Sequence, residues 1–400
     1  MFTKGRFTLC RPSCPCPPGF TLLQVVPELD TGGAEQSALD VARAVVAAGG
    51  RAIVASRGGR MVSRLEADGG EFAPLDAASK NPLTILANAW KLAALIRREK
   101  VSLVHARSRA PAFSALWAAR GTGVPFVATY HGVYKAKSGL KRWYNAVMTR
   151  GDLVIANSDY TRDHVLAEHR IAPARVVTIP RGVDLDRFDP SKVAPERVEL
   201  LRAAWGVPAD DGKVAFLLAG RLTRIKGQLT IVEAARRLAA EGRTDFTILF
   251  AGDDQGRTEY RRELHAAIAA GGLQDTVKIV GHCDDMPAAC LLSDVALLPT
   301  TVPESFGRAA VEPQAMGRPV IVSAHGGTVE TVVDGVTGWL VPPGDAHAWA
   351  DALRAAIDAG PDARAEMGRV AMDRACRLYR VDAMTAATLA AYEQVLEGRA

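Results

Sequence analysis

The chain has few cysteines, few aromatic residues and no long apolar run: six of its 400 residues are cysteine and 6% are aromatic. No apolar run approaches the roughly 20 residues that span a bilayer, so a membrane-spanning helix is not predicted. Residues 1–19 have no apolar stretch of the kind found in secretory signals. Cys283, Cys290 and Cys376 are scattered and are interpreted as reduced thiols of a cytosolic protein.

Residues 1–19 are predicted to form a disordered tail. They contain four prolines together with Cys10, Cys14 and Cys16, and this composition favours disorder. A metal or disulfide role for the three cysteines is the alternative, although their tight spacing lacks a second ligand pair.

Acidic residues are absent from 100–151, which carries nine basic residues. Up to Pro190 there are 26 Lys and Arg against 16 Asp and Glu, a net charge of +10. The rest of the chain has 23 Lys and Arg against 28 Asp and Glu, a net charge of −5, so the whole chain carries +5. The basic block predicts an anionic partner for the first half, either phospholipid headgroups or a ligand bearing phosphates or acidic sugars. Charge that serves only solubility is the alternative.

The length and the order of elements predict a two-domain α/β protein. Four hundred residues exceed the size at which one core usually keeps growing. Strand-like and helical segments alternate, which predicts right-handed βαβ units and parallel sheets. The predicted strands are 21–26, 52–55, 102–104, 125–129, 152–156, 176–179, 214–219, 246–251, 277–280, 295–298 and 320–323. The predicted divisions are a first domain at 20–190, a linker at 191–212, a second domain at 213–370 and terminal helices at 371–400, with one helix over 371–396.

Two carboxylates eight residues apart are the most informative pair. Glu304 follows the apolar run 295–298, and Glu312 lies in the helical pattern beyond it. A helix that begins near Gly307 presents free amide groups and the positive end of its dipole, which suits a phosphate. Glu312 then lies about 7–8 Å further along the axis. Together the carboxylates can bind hydroxyls at both ends of a sugar nucleotide; the alternative is two acids with nothing to bind.

Further motifs surround this pair. They are GRLTRIKG at 220–227, GRPVIV at 317–322, Gly326-Gly327 with Glu330, and GVTGWLVP at 335–342. In this order they resemble the motifs of the retaining nucleotide-sugar glycosyltransferases of family 4, in the bacterial lipopolysaccharide and polysaccharide branch. That family has the GT-B fold, in which two Rossmann-like domains face each other across a cleft. The resemblance extends from about residue 21 to the C-terminus.

The resemblance implies transfer of a hexosyl group from a nucleotide-diphosphate sugar to a glycan or lipid-linked acceptor. Such a reaction needs fixed positive charge to stabilise the departing diphosphate, and Arg221 and Lys226 match the family's diphosphate-binding cations. In similar enzymes the incoming hydroxyl attacks on the donor's own face, and a donor phosphate oxygen helps to remove its proton. The residues assigned to catalysis are Glu304, Arg221, Lys226 and His131. The residues assigned to donor binding are Gly32, Gly33, Gly220, Arg221, Lys226, His282, Glu304, Ser305, Phe306, Gly307 and Glu312.

Residues of the first half complete the predicted site. Gly32 and Gly33 follow the first strand, where glycine permits close approach of the backbone to a phosphate or sugar. His131, in TYHG at 129–132, resembles the family's histidine near the donor sugar. A structural histidine and an ordinary glycine turn are the alternatives.

No metal or other cofactor is predicted. Asp253-Asp254 and Asp284-Asp285 are adjacent pairs, and adjacent side chains on an extended chain point apart. The family that this chain resembles does not use the divalent ion that other glycosyltransferases hold with an Asp-x-Asp motif.

Cations and aromatic rings are mixed in the segment 134–144. The residues of this segment that are predicted to contact the acceptor or a membrane are Lys135, Lys137, Lys141, Arg142 and Trp143. The mixture suits a membrane interface, and an amphipathic helix with its aromatic side in the core is the alternative. No recognition motif supports nucleic acid. The expected location is cytoplasmic, with peripheral contact at the inner face of a bacterial membrane.

Two other functions are compatible with these patterns. A nucleotide-sugar 2-epimerase shares the two-domain architecture, and a non-catalytic sugar-nucleotide-binding protein shares the donor site. The complete motif set favours the transferase over both.

Overall fold

The computed structural model describes residues 17–30, 32–134, 136, 138–209 and 212–398. The chain divides into two units, each built on one parallel sheet. The first contains Met1–Gly182 and Val381–Ala400, and the second contains Val183–Arg380. The predicted tail lies outside the described residues except for 17–19.

The first unit carries a seven-stranded parallel sheet. Its strands are β1 (Thr21–Val25), β2 (Arg51–Ser56), β3 (Glu71–Pro74), β4 (Leu103–Ala106), β5 (Phe126–Tyr130), β6 (Leu153–Ala156) and β7 (Val176–Thr178), in the order β3-β2-β1-β4-β5-β6-β7. Its helices are α1 (Gly33–Ala47), α2 (Val62–Ala67), α3 (Pro82–Arg98), α4 (Arg109–Thr122), α5 (Gly139–Asn145) and α6 (Asp159–Glu168). The inner strands β1, β4, β5 and β6 are buried along their whole length, as expected for a parallel sheet covered on both faces.

The second unit carries a six-stranded parallel sheet. Its strands are β8 (Val214–Ala219), β9 (Phe246–Ala251), β10 (Val277–Gly281), β11 (Val295–Leu298), β12 (Val320–Ser323) and β13 (Gly338–Val341), in the order β10-β9-β8-β11-β12-β13. Its helices are α7 (Pro195–Trp205), α8 (Gln228–Ala240), α9 (Thr258–Ala270), α10 (Met286–Leu292), α11 (Arg308–Ala315), α12 (Thr328–Thr331), α13 (Ala346–Asp358) and α14 (Gly360–Leu378). Because β8 and β11 are neighbours, the loops that follow them meet at one edge of the sheet.

The terminal helix is two helices rather than the single one predicted over 371–396. α14 ends at Leu378, and α15 (Val381–Glu397) begins after a two-residue break. The break is held by the second unit, because the Val183 amide donates to the Tyr379 carbonyl at 2.7 Å and Arg380 forms a parallel bridge with Val183.

α15 belongs to the first unit. It packs against α1, and the Tyr392 hydroxyl is 2.5 Å from Nδ1 of the fully buried His105 on β4. Nε2 of the same ring lies 2.7 Å from the Thr129 hydroxyl. The last helix is therefore anchored to the first sheet by polar contacts within its core.

The divisions between the units differ from the predicted ones. They fall at 182/183 and 380/381 instead of 190/191 and 370/371. The predicted linker 191–212 lies in the second unit, where α7 packs against α10, and residues 371–380 stay there because α14 packs against α11.

Candidate active site

Lys226 ends a 3-10 turn that follows β8. The next residue, Gly227, has a φ of +74°, and a Cβ at this position would overlap the Pro299 carbonyl oxygen. The Thr301 amide also donates to the Ile225 carbonyl at 3.0 Å. Only glycine permits this approach, so the turn is fixed against the loop that follows β11.

Glu304 lies in that second loop and is held by a glycine pair. It forms a parallel bridge with Gly326, and its carbonyl accepts from the Gly327 amide at 2.7 Å. Gly326 has a φ of +68°, and a Cβ there would overlap the Glu304 carbonyl oxygen. The Gly326-Gly327 motif thus allows the loop of Glu304 to pack closely on the loop after β12.

These two loops bring Lys226 and Glu304 together. Lys226 Nζ is 2.6 Å from Glu304 Oε1, and the side chains are 19% and 27% exposed. A charge-assisted hydrogen bond of this length is stronger than a neutral one, and partial burial shields it from solvent. The contact places one cation and one carboxylate, 78 positions apart in sequence, at the carboxyl edge of the second sheet, where ligands of open α/β sheets bind.

Arg221 lies at the same edge, two residues beyond the end of β8. Its side chain is exposed and has no ion-pair partner among the residues that the structure describes. Its backbone is fixed, because the Arg221 carbonyl accepts from the Gln228 side chain at 3.0 Å. The preceding Gly220 donates to the Ala251 carbonyl at 2.9 Å and lies alongside the methylene carbons of Lys226. Arg221 is therefore an anchored cation with its charge available to a ligand.

The helix expected near Gly307 is present. Gly307 has a φ of +91° and caps α11, which begins at Arg308. Glu312 lies on this helix and accepts two hydrogen bonds from Arg308, at 2.6 and 3.0 Å. Both side chains are about one-fifth exposed. Arg308 was not singled out from the sequence, although its spacing of four residues from Glu312 is that of a helical ion pair.

The other predicted donor-binding residues of the second unit differ in how exposed their side chains are; they are Ser305, Phe306 and His282. The Phe306 ring is 2% exposed and packs edge-on against Tyr379, with centroids 5.3 Å apart, so only its backbone can reach a ligand. The Ser305 backbone packs against Gly327. His282 follows β10; it is half exposed, and its Nε2 is 2.9 Å from Asp284 Oδ1.

His325 is a further residue at this edge that the sequence analysis did not identify. Its Nε2 is 3.4 Å from the Thr300 hydroxyl. Burial lowers the pKa of His325, and the nearby Glu304 carboxylate opposes this shift. Its place two residues after β12, directly before Gly326-Gly327, is the signal that could have identified it.

In the first unit, His131 follows β5 and pairs with Arg181. Arg181 Nη2 is 2.6 Å from His131 Nδ1. Burial, reinforced by the charge of Arg181, holds the pKa of His131 well below its usual range. Because a guanidinium only donates, Nδ1 accepts and the ring proton resides on Nε2. His131 is therefore a neutral hydrogen-bond donor, and Arg181 is another residue that was not identified from the sequence.

Gly32 and Gly33 begin α1 beyond the end of β1. Gly32 is the extended residue before the helix, and a Cβ on it would overlap the Glu35 carboxylate. Arg107 follows the neighbouring strand β4; it is 3% exposed and donates to the Gln24 side chain at 2.6 Å. Its position after a buried strand could have marked Arg107 as a candidate, which the sequence analysis did not name.

Comparison with known proteins identifies the family of the chain. The model of Glycosyltransferase Family 4 matches residues 31–187, and that of Glycosyl transferases group 1 matches residues 202–374. The 2-deoxystreptamine glucosyltransferase of Streptomyces kanamyceticus is 31% identical over 293 residues, which cover 70% of this chain and 73% of the relative. The chain belongs to the family 4 glycosyltransferases. The expected family is confirmed.

Other family members extend the comparison. The D-inositol 3-phosphate glycosyltransferase of Saccharomonospora viridis is 33% identical over 280 residues, which cover 65% of this chain but only 63% of the relative's length. A glycosyltransferase structure from Rickettsia africae superposes with a TM-score of 0.87 at 33% identity, over 95% of this chain and 99% of that one. Anabaena Alr3699/HepE in complex with UDP and glucose superposes with a TM-score of 0.82 at 24% identity, over 93% and 100%. The predicted GT-B class of two Rossmann-like domains is confirmed.

The aspartate pairs of this family 4 glycosyltransferase serve local structure. Asp253 accepts from the Gln255 amide at 2.7 Å, and Asp254 accepts from the Gly256 amide at 2.9 Å. Asp285 caps α10 and pairs with Arg197 at 2.6 Å. Within the described ranges, no group of three His, Cys, Asp or Glu side chains is arranged to hold a metal ion.

The aromatic segment of the first unit has both a packed side and an exposed side. Tyr144 packs against Phe113 with centroids 5.1 Å apart, whereas Trp143 is 54% exposed. Lys141 and Arg142 are exposed on α5; Lys135 and Lys137 lie outside the described residues. No helix in the described part of the chain is both long and apolar enough to cross a bilayer.

Proposed function

We propose that the chain transfers a hexosyl group, with retention, from a nucleotide-diphosphate sugar to a glycan or lipid-linked acceptor in lipopolysaccharide core or cell-surface polysaccharide biosynthesis. The observation that carries the donor part is the Lys226–Glu304 contact of 2.6 Å, with Arg221 anchored at the same sheet edge. The Anabaena protein holding UDP and glucose supports a sugar nucleotide as donor.

The cations of the second unit bind the diphosphate in this proposal. Arg221 provides a forked donor set that suits phosphate oxygens, and Lys226 provides a point charge. When a donor enters, Lys226 exchanges its Glu304 partner for phosphate, and the Glu304 carboxylate becomes an acceptor for sugar hydroxyls. Charge that develops on the departing diphosphate then meets groups already in position.

The remaining residues orient the donor. The amides of Ser305, Phe306 and Gly307, with Gly220, Gly32 and Gly33, bind phosphate or sugar oxygens through the backbone. Glu312 accepts hydrogen bonds from the ribose after releasing part of its contact with Arg308, and His282 flanks the nucleobase. His131 donates a hydrogen bond from Nε2 to the sugar. Because its contact with Arg181 keeps the ring neutral, His131 does not act as a strong base at neutral pH. The proton of the incoming hydroxyl passes to a donor phosphate oxygen.

The proposed location is cytoplasmic, with peripheral contact at the inner face of the membrane. The support is the basic, acid-free block 100–151 and the exposed Lys141, Arg142 and Trp143 on α5. Lys135 and Lys137 belong to the same proposal. A lipid-linked acceptor would be met at that surface.

The proposed transfer requires no divalent cation. Arg221 and Lys226 supply the positive charge that a metal ion provides in other glycosyltransferases, and the aspartate pairs are engaged in turns and caps. We expect initial rates in excess EDTA to equal those in magnesium buffer. Loss of activity in EDTA, restored by added Mg²⁺ or Mn²⁺, would contradict a metal-independent transfer.

A thermal-shift screen against nucleotide-diphosphate sugars tests the donor class. A donor at 100 times its Kd should stabilise the chain by about 2.7 kcal/mol, and the matching free sugar should not. Product analysis with the best ligand then separates the activities: transfer to an acceptor supports the proposal, and acceptor-free conversion to the epimer identifies an isomerase. Absence of a shift with every sugar nucleotide would contradict the donor site.

A further inference from the structure

A cavity of about 990 Å³ in the first unit lies outside the proposed donor site. Its lining includes Arg120, Arg142, Arg150, Arg170 and Arg175, together with Trp143 and Glu168. Arg120 is in the last turn of α4 before β5, Arg150 precedes β6, and Arg175 directly precedes β7. The cavity is thus at the amino edge of the first sheet, whereas Gly33, Arg107 and His131 follow the strands at the opposite edge.

The charge of this cavity is strongly positive. Glu168 is the only carboxylate among the described lining residues, and it lies 3.9 Å from Arg142. Arg170 is exposed and has no ion-pair partner within the described ranges. Asp152, next to the lining, uses its carboxylate to accept from the Phe126 amide at 2.7 Å.

Backbone carbonyls hold the other three guanidinium groups. Arg120 donates to the Arg150 carbonyl at 3.1 Å, and Arg150 donates to the Trp143 carbonyl and lies 4.9 Å from the centre of its ring. Arg175 donates to the Gly151 carbonyl and, at 3.3 Å, to those of Thr149 and Asp152. Carbonyl groups orient a guanidinium without cancelling its charge, so the cavity is built to receive an anion.

Exposed apolar side chains lie in and beside the same cavity. Leu140, next to the lining residue Gly139, is 77% exposed, and Trp143 and Trp117 are 54% and 45% exposed. Trp117 precedes Arg120 by one turn of α4, and Phe113 joins the two tryptophans, with ring centroids 6.1 and 5.7 Å away. The guanidinium groups alone would suffice to bind a soluble phosphate, so the apolar side chains indicate a ligand at a lipid surface. Tryptophan and leucine beside cations are what a lipid–water interface favours.

We propose that this arginine cavity binds the phosphate of an anionic phospholipid headgroup while Leu140, Trp143 and Trp117 enter the membrane interface. The proposal rests on the membrane contact in the proposed function and names its binding site and its ligand. Headgroup phosphate accepts from Arg142 and Arg170, which are exposed, and from the carbonyl-held groups behind them. Arginine suits this role because its fork matches phosphate geometry.

Vesicle co-sedimentation of the full chain tests the site. Wild-type protein should bind vesicles of phosphatidylcholine with phosphatidylglycerol and bind phosphatidylcholine vesicles weakly. The double variant Arg142→Gln/Arg170→Gln should bind the anionic vesicles about thirtyfold more weakly, since each cation near the surface contributes about 1 kcal/mol. Within the part of the chain that the structure describes, neither of these side chains donates to a backbone carbonyl, so the cavity should keep its shape. Arg369→Gln, at a 57%-exposed arginine of α14, is the matched control and should bind as wild type does.

Two further measurements separate the possible failures. Trp143→Ala should weaken vesicle binding while leaving any stabilisation by inorganic phosphate unchanged. The lipid assignment would be overturned by the following result: inorganic phosphate stabilises the wild-type protein but not the double variant, and the wild-type protein does not bind vesicles. Thermal shift by a sugar nucleotide should persist in the double variant; vesicle binding without any such shift would contradict the proposed function and leave this site standing.

Discussion

Lys226→Ala should lower kcat about a hundredfold to a thousandfold while the fold persists. The expectation follows from the partly buried position of Lys226, its contact with Glu304, and its place beside Arg221 at the carboxyl edge of the second sheet. Removing a preorganised group that stabilises developing charge typically costs that much. The measurement is single-turnover transfer with the donor identified by thermal shift, with unfolding monitored in parallel.

Arg224→Ala is the matched control for Lys226→Ala. Arg224 lies on the same 3-10 turn, but it is 65% exposed and pairs with Glu263 at 2.6 Å. An exposed pair of this kind contributes little to stability, so both rate and stability should stay near wild type. If Lys226→Ala turns over at a rate comparable to Arg224→Ala, Lys226 has no part in stabilising the leaving group.

Most strands could be predicted because buried parallel strands are short, continuous apolar runs. The predictions near β1, β8 and β11 agree with the structure to within one residue. The strands β3 and β13 were not predicted. The sequence of β3 is Glu-Phe-Ala-Pro; its two end residues are exposed and its two central residues are only half-buried. The other strand, β13, begins at a glycine. Edge strands carry a weaker apolar signal because one side lacks a neighbour.

The break between α14 and α15 could not be predicted from local sequence. Neither Tyr379 nor Arg380 is a helix-breaking residue, and the apolar pattern continues across both. The helix ends there because Val183, almost 200 positions earlier, bonds to the Tyr379 carbonyl. A contact that distant in sequence leaves no local trace, and the same contact moves the unit boundary to 380/381.

The candidate site shows the same division between local and distant signals. Glu304, Glu312 and Lys226 were found because they belong to motifs in a recognisable order. The direct contact between Lys226 and Glu304 depends on Gly227 meeting Pro299, which no spacing rule reveals. Arg181 was missed because its partner His131 lies 50 positions away.

Glu304→Gln should lower kcat/KM about a hundredfold. The amide keeps the size of the side chain but loses its charge, and hydrogen bonds to charged groups are worth about 1.5–3 kcal/mol. The substitution also deprives Lys226 of its 2.6 Å ionic partner, so the cation is less well positioned before the donor arrives. Thermal shift with the donor should decrease in the same variant, because Glu304 is proposed to bind sugar hydroxyls.

A double-mutant cycle decides whether Glu304 and Lys226 act as one unit. Residues in direct contact couple, so Lys226→Ala/Glu304→Gln should lose less activity than the product of the two single losses. Glu263→Gln, which changes an exposed carboxylate paired with Arg224, is the control and should couple to neither residue. Strictly multiplicative losses would mean that the ion pair is incidental and that each residue meets the donor independently.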